Sequence, residues 1–383
     1  MIPLSLYIHI PWCVRKCPYC DFNSHALRNP LPEQAYLDAL IDDLRQDLAL
    51  VQNRTISTIF LGGGTPSLIS PAGIGSLLNR LSKLVNFSST IEITMEVNPG
   101  TAEHHNIHDY QLAGVNRISL GVQSFDDHKL AALGRIHKSA ETFKVIEQLN
   151  NSKFQSFNLD LMHGLPQQTV EQALTDLSTA IDLKPPHISW YQLTLEPNTI
   201  FHKYPPILPS DDITWEIQSQ GELLLAAAGY QHYEISAFSQ SKHHCQHNLN
   251  YWAFGDYLGI GAGAHAKITD LNSMKIQRLW KTRSPKDYLD PDKKFIAGTH
   301  NLTDAEIPCE YMLNRLRTFE IPDLNEFVQR TGLPLNSISG ILKDAQAQGF
   351  IDLQINSLSL TPLGKRFSND VMQLFLTDEV IHD

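Results

Sequence analysis

The sequence predicts an α/β protein: a parallel sheet with helical crossovers, then a small mixed segment, then a winged-helix-like α+β domain at the C-terminal end. Two patterns predict it. Short apolar runs alternate about six times with stretches of helical spacing between residues 4 and 200, and unbroken strand–helix alternation means parallel strands joined by crossovers. From about Thr303 the order changes to three helices, a hairpin and a last helix. A chain of 383 residues has room for roughly two or three domains.

The elements read in order as follows. Leu4, Leu6, Ile8 and Ile10 alternate with other residues, which is strand periodicity. Further strands are expected at 57–61, 91–97, 117–122, 157–162 and 188–195, with helices at 33–51, 71–85, 107–113, 139–149 and 169–183 between them. Pro32 and Pro71 stand where helices like to begin. Six units are too few for an eight-fold barrel, so an incomplete barrel and an open sheet both fit. An amphipathic helix over 213–228 and a strand over 233–238 follow, and residues 239–300, rich in Gly, His and aromatics, read as irregular. The tail ends with a hairpin over 350–360 and a helix from Pro362. This gives three expected units: residues 1–238, 239–300 and 301–383.

Charge and hydropathy exclude some functions. Lys+Arg number 30 against 41 Asp+Glu, a net charge of -11, and such a chain is poorly suited to gripping a phosphate backbone. Residues 300–383 carry six Lys+Arg against twelve Asp+Glu, which argues against DNA binding by the winged-helix-like tail. No apolar run approaches the ~20 residues of a membrane span. The apolar N-terminus lacks a basic flank and is broken by Pro3, His9 and Pro11, so it reads as a strand rather than a signal peptide, and the expected location is cytoplasmic.

Three of the five cysteines fall within eight residues, as Cys13-x3-Cys17-x2-Cys20. Pro11 and Pro18 oppose a regular helix, so a loop wraps something compact. Three thiolates are one short of the usual four for structural zinc or an ordinary four-iron cluster, and an open position is what a ligand-exchanging centre needs. Arg15 and Lys16 are expected to lower the thiol pKa values. A zinc site completed by His9 or His25 is the alternative. At or just past the strand ends lie Gly62-Gly63-Gly64-Thr65, Glu96-Val97-Asn98, Gln123-Ser124, Asp160 and Thr194-Leu195-Glu196. Ligands bind at that carboxyl edge in parallel α/β folds, and Glu96 and Asp160 sit inside apolar strands where a carboxylate is costly unless it has a partner.

The cysteine run after an N-terminal strand, with Tyr19 before its last cysteine and Gly62-Gly63-Gly64-Thr65-Pro66-Ser67 one unit later, resembles the radical S-adenosylmethionine (SAM) superfamily. The resemblance implies a partial (β/α)6 barrel. It also implies a 4Fe-4S cluster held through three irons by Cys13, Cys17 and Cys20, with SAM chelating the fourth. One electron from the cluster then cleaves SAM to a 5′-deoxyadenosyl radical. Pro11-Trp12-Cys13, Cys20-Asp21-Phe22, Glu96-Val97-Asn98-Pro99, Gly121-Val122-Gln123-Ser124-Phe125, residues 160–166 and residues 257–261 narrow the resemblance to the branch of oxygen-independent coproporphyrinogen oxidases and their haem-chaperone relatives. Carried over residue by residue, SAM contacts fall on Tyr7, Tyr19, Gly63, Gly64, Thr65, Glu96, Gln123, Arg135 and Asp160.

Two departures favour the chaperone side. Phe22 stands where the oxidase type has a further cysteine, and Cys13 lies near the start, where the oxidase type has a long preceding extension. His247-Asn248-Leu249-Asn250-Tyr251-Trp252 resembles the chaperones' haem motif, with His247 as a haem ligand and Tyr251, Trp252 and Phe254 beside the macrocycle; a zinc site of His243, His244, His247 and Cys245 is the competing reading. The resemblance thus implies a carrier of haem, cluster and SAM that hands haem to acceptor proteins and draws on an electron donor, with no nucleic-acid partner. Haem acceptors are often membrane proteins, so peripheral membrane contact stays open, although no basic amphipathic helix advertises it. Decarboxylation of coproporphyrinogen III is the alternative, and radical chemistry on tRNA or protein a second one. Cys309 reads as core.

Overall fold

The computed structural model describes residues 2–101 and 106–376. Its first half runs β1 (Leu4–Ile10), α1 (Glu33–Gln46), β2 (Ile56–Gly63), α2 (Pro71–Ser82), β3 (Phe87–Val97) and α3 (Ile107–Leu112). It continues with β4 (Arg117–Gln123), α4 (Asp127–Ala132), α5 (Ser139–Asn150), β5 (Ser156–His163), α6 (Val170–Asp182) and β6 (His187–Gln192). Strands β1 to β6 lie side by side in chain order, each pair parallel, so the expected six-unit partial barrel is present. Local chemistry starts the helices: α2 begins at Pro71, with the Ser70 side chain accepting from the Gly73 amide at 3.0 Å, and α6 opens with a reciprocal box between Thr169 and Gln172.

Side chains alternate between the faces of a strand, and here the two faces differ in kind. Leu6, Ile8, Ile59, Leu61, Ile93, Met95, Ile118, Leu120, Leu159 and Ile188 face the helices in one core. Each such burial contributes about 1.5–3 kcal/mol, so the outer face holds the barrel together. The inner face is largely polar and is built in rows by the strand register. Tyr7, Phe60, Thr94 and Arg117 are paired across β1 to β4, and the next row up is Glu96, Ser119, Asn158 and His187 across β3 to β6. Above Asn158 and His187 come Asp160 and Ser189, paired with each other beside Gly121.

Both edges are extended. After α7 (Asp211–Ala227), the strand expected over 233–238 is two, β7 (Gln231–Glu234) and β8 (Ala237–Ser239), with β8 antiparallel to β6. Residues 239–300 are not irregular. They hold α8 (Gln246–Trp252), β9 (Asp256–Ile260), β10 (His265–Thr269), β11 (Ile276–Lys281) and β12 (Ile296–Asn301). Strand β9 returns parallel to β1, and β10 to β12 continue antiparallel, completing a twelve-stranded sheet of order β12-β11-β10-β9-β1-β2-β3-β4-β5-β6-β8-β7. Glycines dilute the apolar signal of these strands: a Cβ on Gly259 would lie 2.0 Å from the His265 carbonyl oxygen, and one on Gly298 would lie 2.2 Å from the Trp280 ring. Two buried ion clusters fasten the extension. Lys281 Nζ lies 2.6 Å from both Asp43 and Asp47, and Asp256 holds Arg54 at 2.6 Å and Lys267 at 2.8 Å.

The tail comprises α9 (Ile307–Arg315), a 3-10 turn (Leu316–Thr318), β13 (Glu320–Ile321), α10 (Asn325–Thr331), α11 (Ser339–Ala347), the hairpin β14 (Ile351–Leu353) and β15 (Leu358–Leu360), α12 (Pro362–Arg366) and α13 (Ser368–Gln373). Strands β13, β15 and β14 form their own antiparallel sheet. Its core includes Cys309, Phe327, Leu342 and Leu360, and Phe254 and Ile276 join that core from the preceding segment. Among the described residues no helix is long and apolar enough to cross a membrane.

Candidate functional site

The cysteine loop leaves β1 and is pinned by main-chain bonds. Within the loop, the His25 amide donates to the Pro11 carbonyl at 2.7 Å and the Leu27 amide to that of Cys13 at 2.8 Å. From the end of β2, the Gly64 amide reaches the Ile10 carbonyl at 2.7 Å and the Thr65 amide the Trp12 carbonyl at 2.8 Å. That approach needs glycine: a Cβ on Gly64 would lie 2.5 Å from the Trp12 carbonyl oxygen, and Gly63, at φ +109°, would drive one into the His9 ring. His9 is held neutral, its pKa lowered to about 4 by burial. Its Nε2 meets the Asn23 carbonyl at 2.9 Å. A carbonyl only accepts, so Nε2 carries the proton and Nδ1 accepts from the Tyr7 hydroxyl at 2.9 Å. Tyr7 therefore steadies His9 and the loop, and it does not line the cavity beyond.

That cavity, about 540 Å³, opens at the carboxyl edge of β1 to β6 and is lined by Cys13, Cys17 and Cys20. Tyr19, Gly63, Gly64, Thr65, Glu96, Gln123, Arg135 and Asp160 line it as well. Its size falls within the range of about 300–1,000 Å³ usual for small-molecule sites. Among the described residues no three His, Cys, Asp or Glu side chains could hold a single metal ion. Neither the cysteine loop with His9 or His25 nor the residues around Cys245 are gathered about a single point. Three thiols around one cavity without a common point suit a larger centre whose irons each take one sulfur. Arg135 Nη1 donates to Cys17 Sγ at 3.7 Å, and Cys20 Sγ lies 3.7 Å from Ser24 Oγ. The expected effect of Arg15 and Lys16 is not the dominant one. Burial pushes the Cys13 and Cys20 thiols up, and Lys16 offsets this only in part at Cys20.

Two carboxylates face the same space. Glu96 accepts the Gly63 amide at 3.1 Å, and burial, then the nearby Asp160, raise its pKa to about 8. Asp160 accepts from Ser119 Oγ at 2.9 Å and from Asn158 Nδ2 at 2.7 Å. Burial raises its pKa too, against the opposing pull of these hydrogen bonds and of Arg117. Gln123, at φ +68°, accepts from the Tyr191 hydroxyl at 2.9 Å, and Arg135 Nη2 donates to the Gly121 carbonyl at 3.0 Å while its Nε stays unpartnered. Two acids facing one cavity suit a ligand that brings an ammonium and hydroxyls. The residues present thus fit a cluster with SAM.

His247 fits iron less well. It is 1% exposed, and its pKa is lowered to about 3, chiefly by burial. The Thr58 hydroxyl donates to Ser5, so it can only accept from His247 Nδ1, 2.8 Å away. Nε2 then accepts from the Tyr251 hydroxyl at 2.9 Å. In this arrangement neither nitrogen is available for haem iron. Helix α8 lacks a side-chain cap of its own. Glu92 of β3 takes its first amides instead, those of Gln246 at 3.2 Å and His247 at 3.0 Å. Asn248 and Trp252 of this helix line the cavity, as do Arg117, Asn158, His187, Tyr191 and Arg317; of these only Trp252 was expected beside a ligand, the haem macrocycle. The signal for those on β4 to β6 was present in the sequence as the polar half of each alternation.

Comparison with known proteins completes the description. The Radical SAM superfamily model matches residues 7–178, and the HemN C-terminal domain model matches residues 302–367. A protein named heme chaperone HemW from Escherichia coli (strain K12) is 49% identical over 376 residues, 98% of this chain and 99% of that one. Its namesake from Haemophilus influenzae is 50% identical over 381 residues, with the same coverage, and that from Bacillus subtilis (strain 168) is 33% identical over 381 residues, covering 97% and 99%. Among solved structures, coproporphyrinogen III oxidase (HemN) from E. coli superposes with a TM-score of 0.82 at 25% identity, over 98% of this chain and 90% of that one.

Proposed function

The chain belongs to the HemW haem-chaperone family of the radical SAM superfamily, and from that premise we propose that it binds haem, a 4Fe-4S cluster and SAM and passes the haem to acceptor proteins. The near full-length identity to proteins named haem chaperones carries this reading. Cys13, Cys17 and Cys20 hold the cluster, which with SAM supplies one-electron chemistry when bound. Glu96 and Asp160 take the ammonium and hydroxyl groups of SAM, the backbone of Gly63, Gly64 and Thr65 lies against it, and Gln123, Tyr19 and Arg135 close the space beside the cluster. His247 comes to haem iron only by giving up its bonds to Thr58 and Tyr251.

The test is anaerobic reconstitution with iron and sulfide, followed by electron paramagnetic resonance with and without SAM, and then by mixing haem-loaded protein with an apo-haem protein. About four irons per chain, a signal altered by SAM and haem recovered in the acceptor are expected. Zinc in place of iron, or haem that stays put, refutes the reading. The TM-score of 0.82 to the oxidase favours a second reading, decarboxylation of coproporphyrinogen III. Conversion of that substrate by the reconstituted protein establishes it, and Phe22 in place of a further cysteine weighs against it.

A further inference from the structure

Among the described residues, the buried Arg and Lys side chains make ion pairs or hydrogen bonds, with one exception on the inner face. Arg54 and Lys267 share Asp256, Lys281 bridges Asp43 and Asp47, and Lys129 donates to the carbonyls of Pro166 and Gln167. Arg117 is 3% exposed, yet among the described residues it makes no hydrogen bond and no ion pair, and its Nε is enclosed without an acceptor. Its nearest candidates are committed elsewhere: Glu92 to the amides of α8, Asp160 to Ser119 and Asn158. Glu92 and Asp160 stabilise the charged guanidinium through space, but they leave its hydrogen-bond donors unfilled, which is costly in a buried group, and its place in the wall of the cavity shows where an acceptor can come from.

Two more unmet donors border the same space. Arg317, from the turn after α9, has an enclosed Nε without an acceptor, and its guanidinium stacks on the Trp252 ring at 4.3 Å. Its Nη2 makes a loose ion pair with Glu234 at 3.8 Å, too long for a hydrogen bond, and Glu234 Oε2 is itself without a hydrogen-bond partner. The Trp252 indole Nε1 is also enclosed and unpartnered. Arg117 lies one inward-facing row below Glu96, so this end is deeper than the one the cysteines border. Three donors from three elements call for an acceptor, and two guanidinium forks match a carboxylate. Glu96, Asp160 and Glu234 in the same cavity disfavour a dianion such as phosphate.

We propose that Arg117, Arg317 and Trp252 form a carboxylate subsite at the deep end of the cavity, which anchors a carboxylate-bearing ligand beside the SAM position. On the haem reading above, and resting on it for the ligand's identity alone, that group is a haem propionate.

The experiment titrates the reconstituted full chain with haem, with haem dimethyl ester, and with iron-free coproporphyrin III, whose binding needs no iron ligand. Wild type, Arg117→Gln, Arg117→Lys and Arg317→Gln are compared, with circular dichroism confirming that each folds. The proposal expects haem to bind wild type at least about tenfold more tightly than its diester, with that preference lost in Arg117→Gln and Arg317→Gln and partly kept in Arg117→Lys. Equal affinity for haem and diester overturns the subsite while leaving haem binding intact. If haem fails to bind but coproporphyrin binds and loses about tenfold in Arg117→Gln, the haem reading falls and the subsite stands. Binding of neither porphyrin overturns both. Should Arg117→Gln not fold, Arg317→Gln decides alone.

Discussion

The raised pKa of Glu96 makes SAM binding dependent on pH in a direction that can be worked out. The carboxyl titrates at about 8 in the folded chain against 4.5 for the free group, so the folded state holds its proton more tightly than the unfolded one. For a raised acid, folding stability is highest below the unfolded value and falls as pH climbs towards 8; the gap corresponds to about 5 kcal/mol. A ligand ammonium placed against Glu96 needs the ionised form, so below pH 8 binding must expel one proton. Affinity is then expected to rise about tenfold per pH unit well below pH 8, about 50-fold between pH 6 and 8, and to level off above that. Anaerobic calorimetry at pH 6, 7, 8 and 9, in two buffers of different ionisation enthalpy, measures both the affinity and the proton released. Glu96→Gln should abolish the slope and make the ligand-free protein more stable at pH 9. A pH-independent affinity with no proton release, or a slope that survives Glu96→Gln, refutes the reasoning.

Three substitutions test the frame around the site, and a fourth serves as their control. Gly64→Ala puts a methyl 2.5 Å from the Trp12 carbonyl oxygen and should cost about 1–3 kcal/mol while lowering iron content after reconstitution. Gly340→Ala, in α11 with nothing within 4 Å, is the control and should be neutral or stabilise by up to about 1 kcal/mol. His247→Ala strands Thr58 and Tyr251 and should lower the urea stability of the ligand-free protein by about 1–3 kcal/mol; an unchanged midpoint would remove both hydrogen bonds from the account. Lys281→Met leaves Asp43 and Asp47 facing each other without a cation and should cost about 3–5 kcal/mol, read as a lower melting temperature.

The six parallel strands are legible because each carries an apolar run that must be buried outward, and the cysteine spacing is legible because few other centres use it. Arg117 and Asn158 are less so. As single polar residues in apolar runs they look like interruptions until the strand register puts them in one row. Strands β9 and β12 escape notice for the opposite reason: Gly259 and Gly298 are there to let backbone or a ring approach, and they erase the β-branched signature. His247 shows a third limit. A motif can nominate an imidazole, but only the folded chain shows that Thr58 and Tyr251 already occupy both of its nitrogens.

The cysteine loop owes its position to carbonyl and amide groups of Ile10, Pro11, Trp12, Cys13, His25, Leu27, Gly64 and Thr65. Apart from Gly64, which must lack a Cβ, such anchors do not depend on the side chains they carry. The exposed tip at Val14, Arg15 and Lys16 takes part in none of these main-chain bonds, so a reporter written at Val14 should leave the sulfur atoms where they are, whereas Arg15 lines the cavity and Lys16 holds the Phe22 carbonyl.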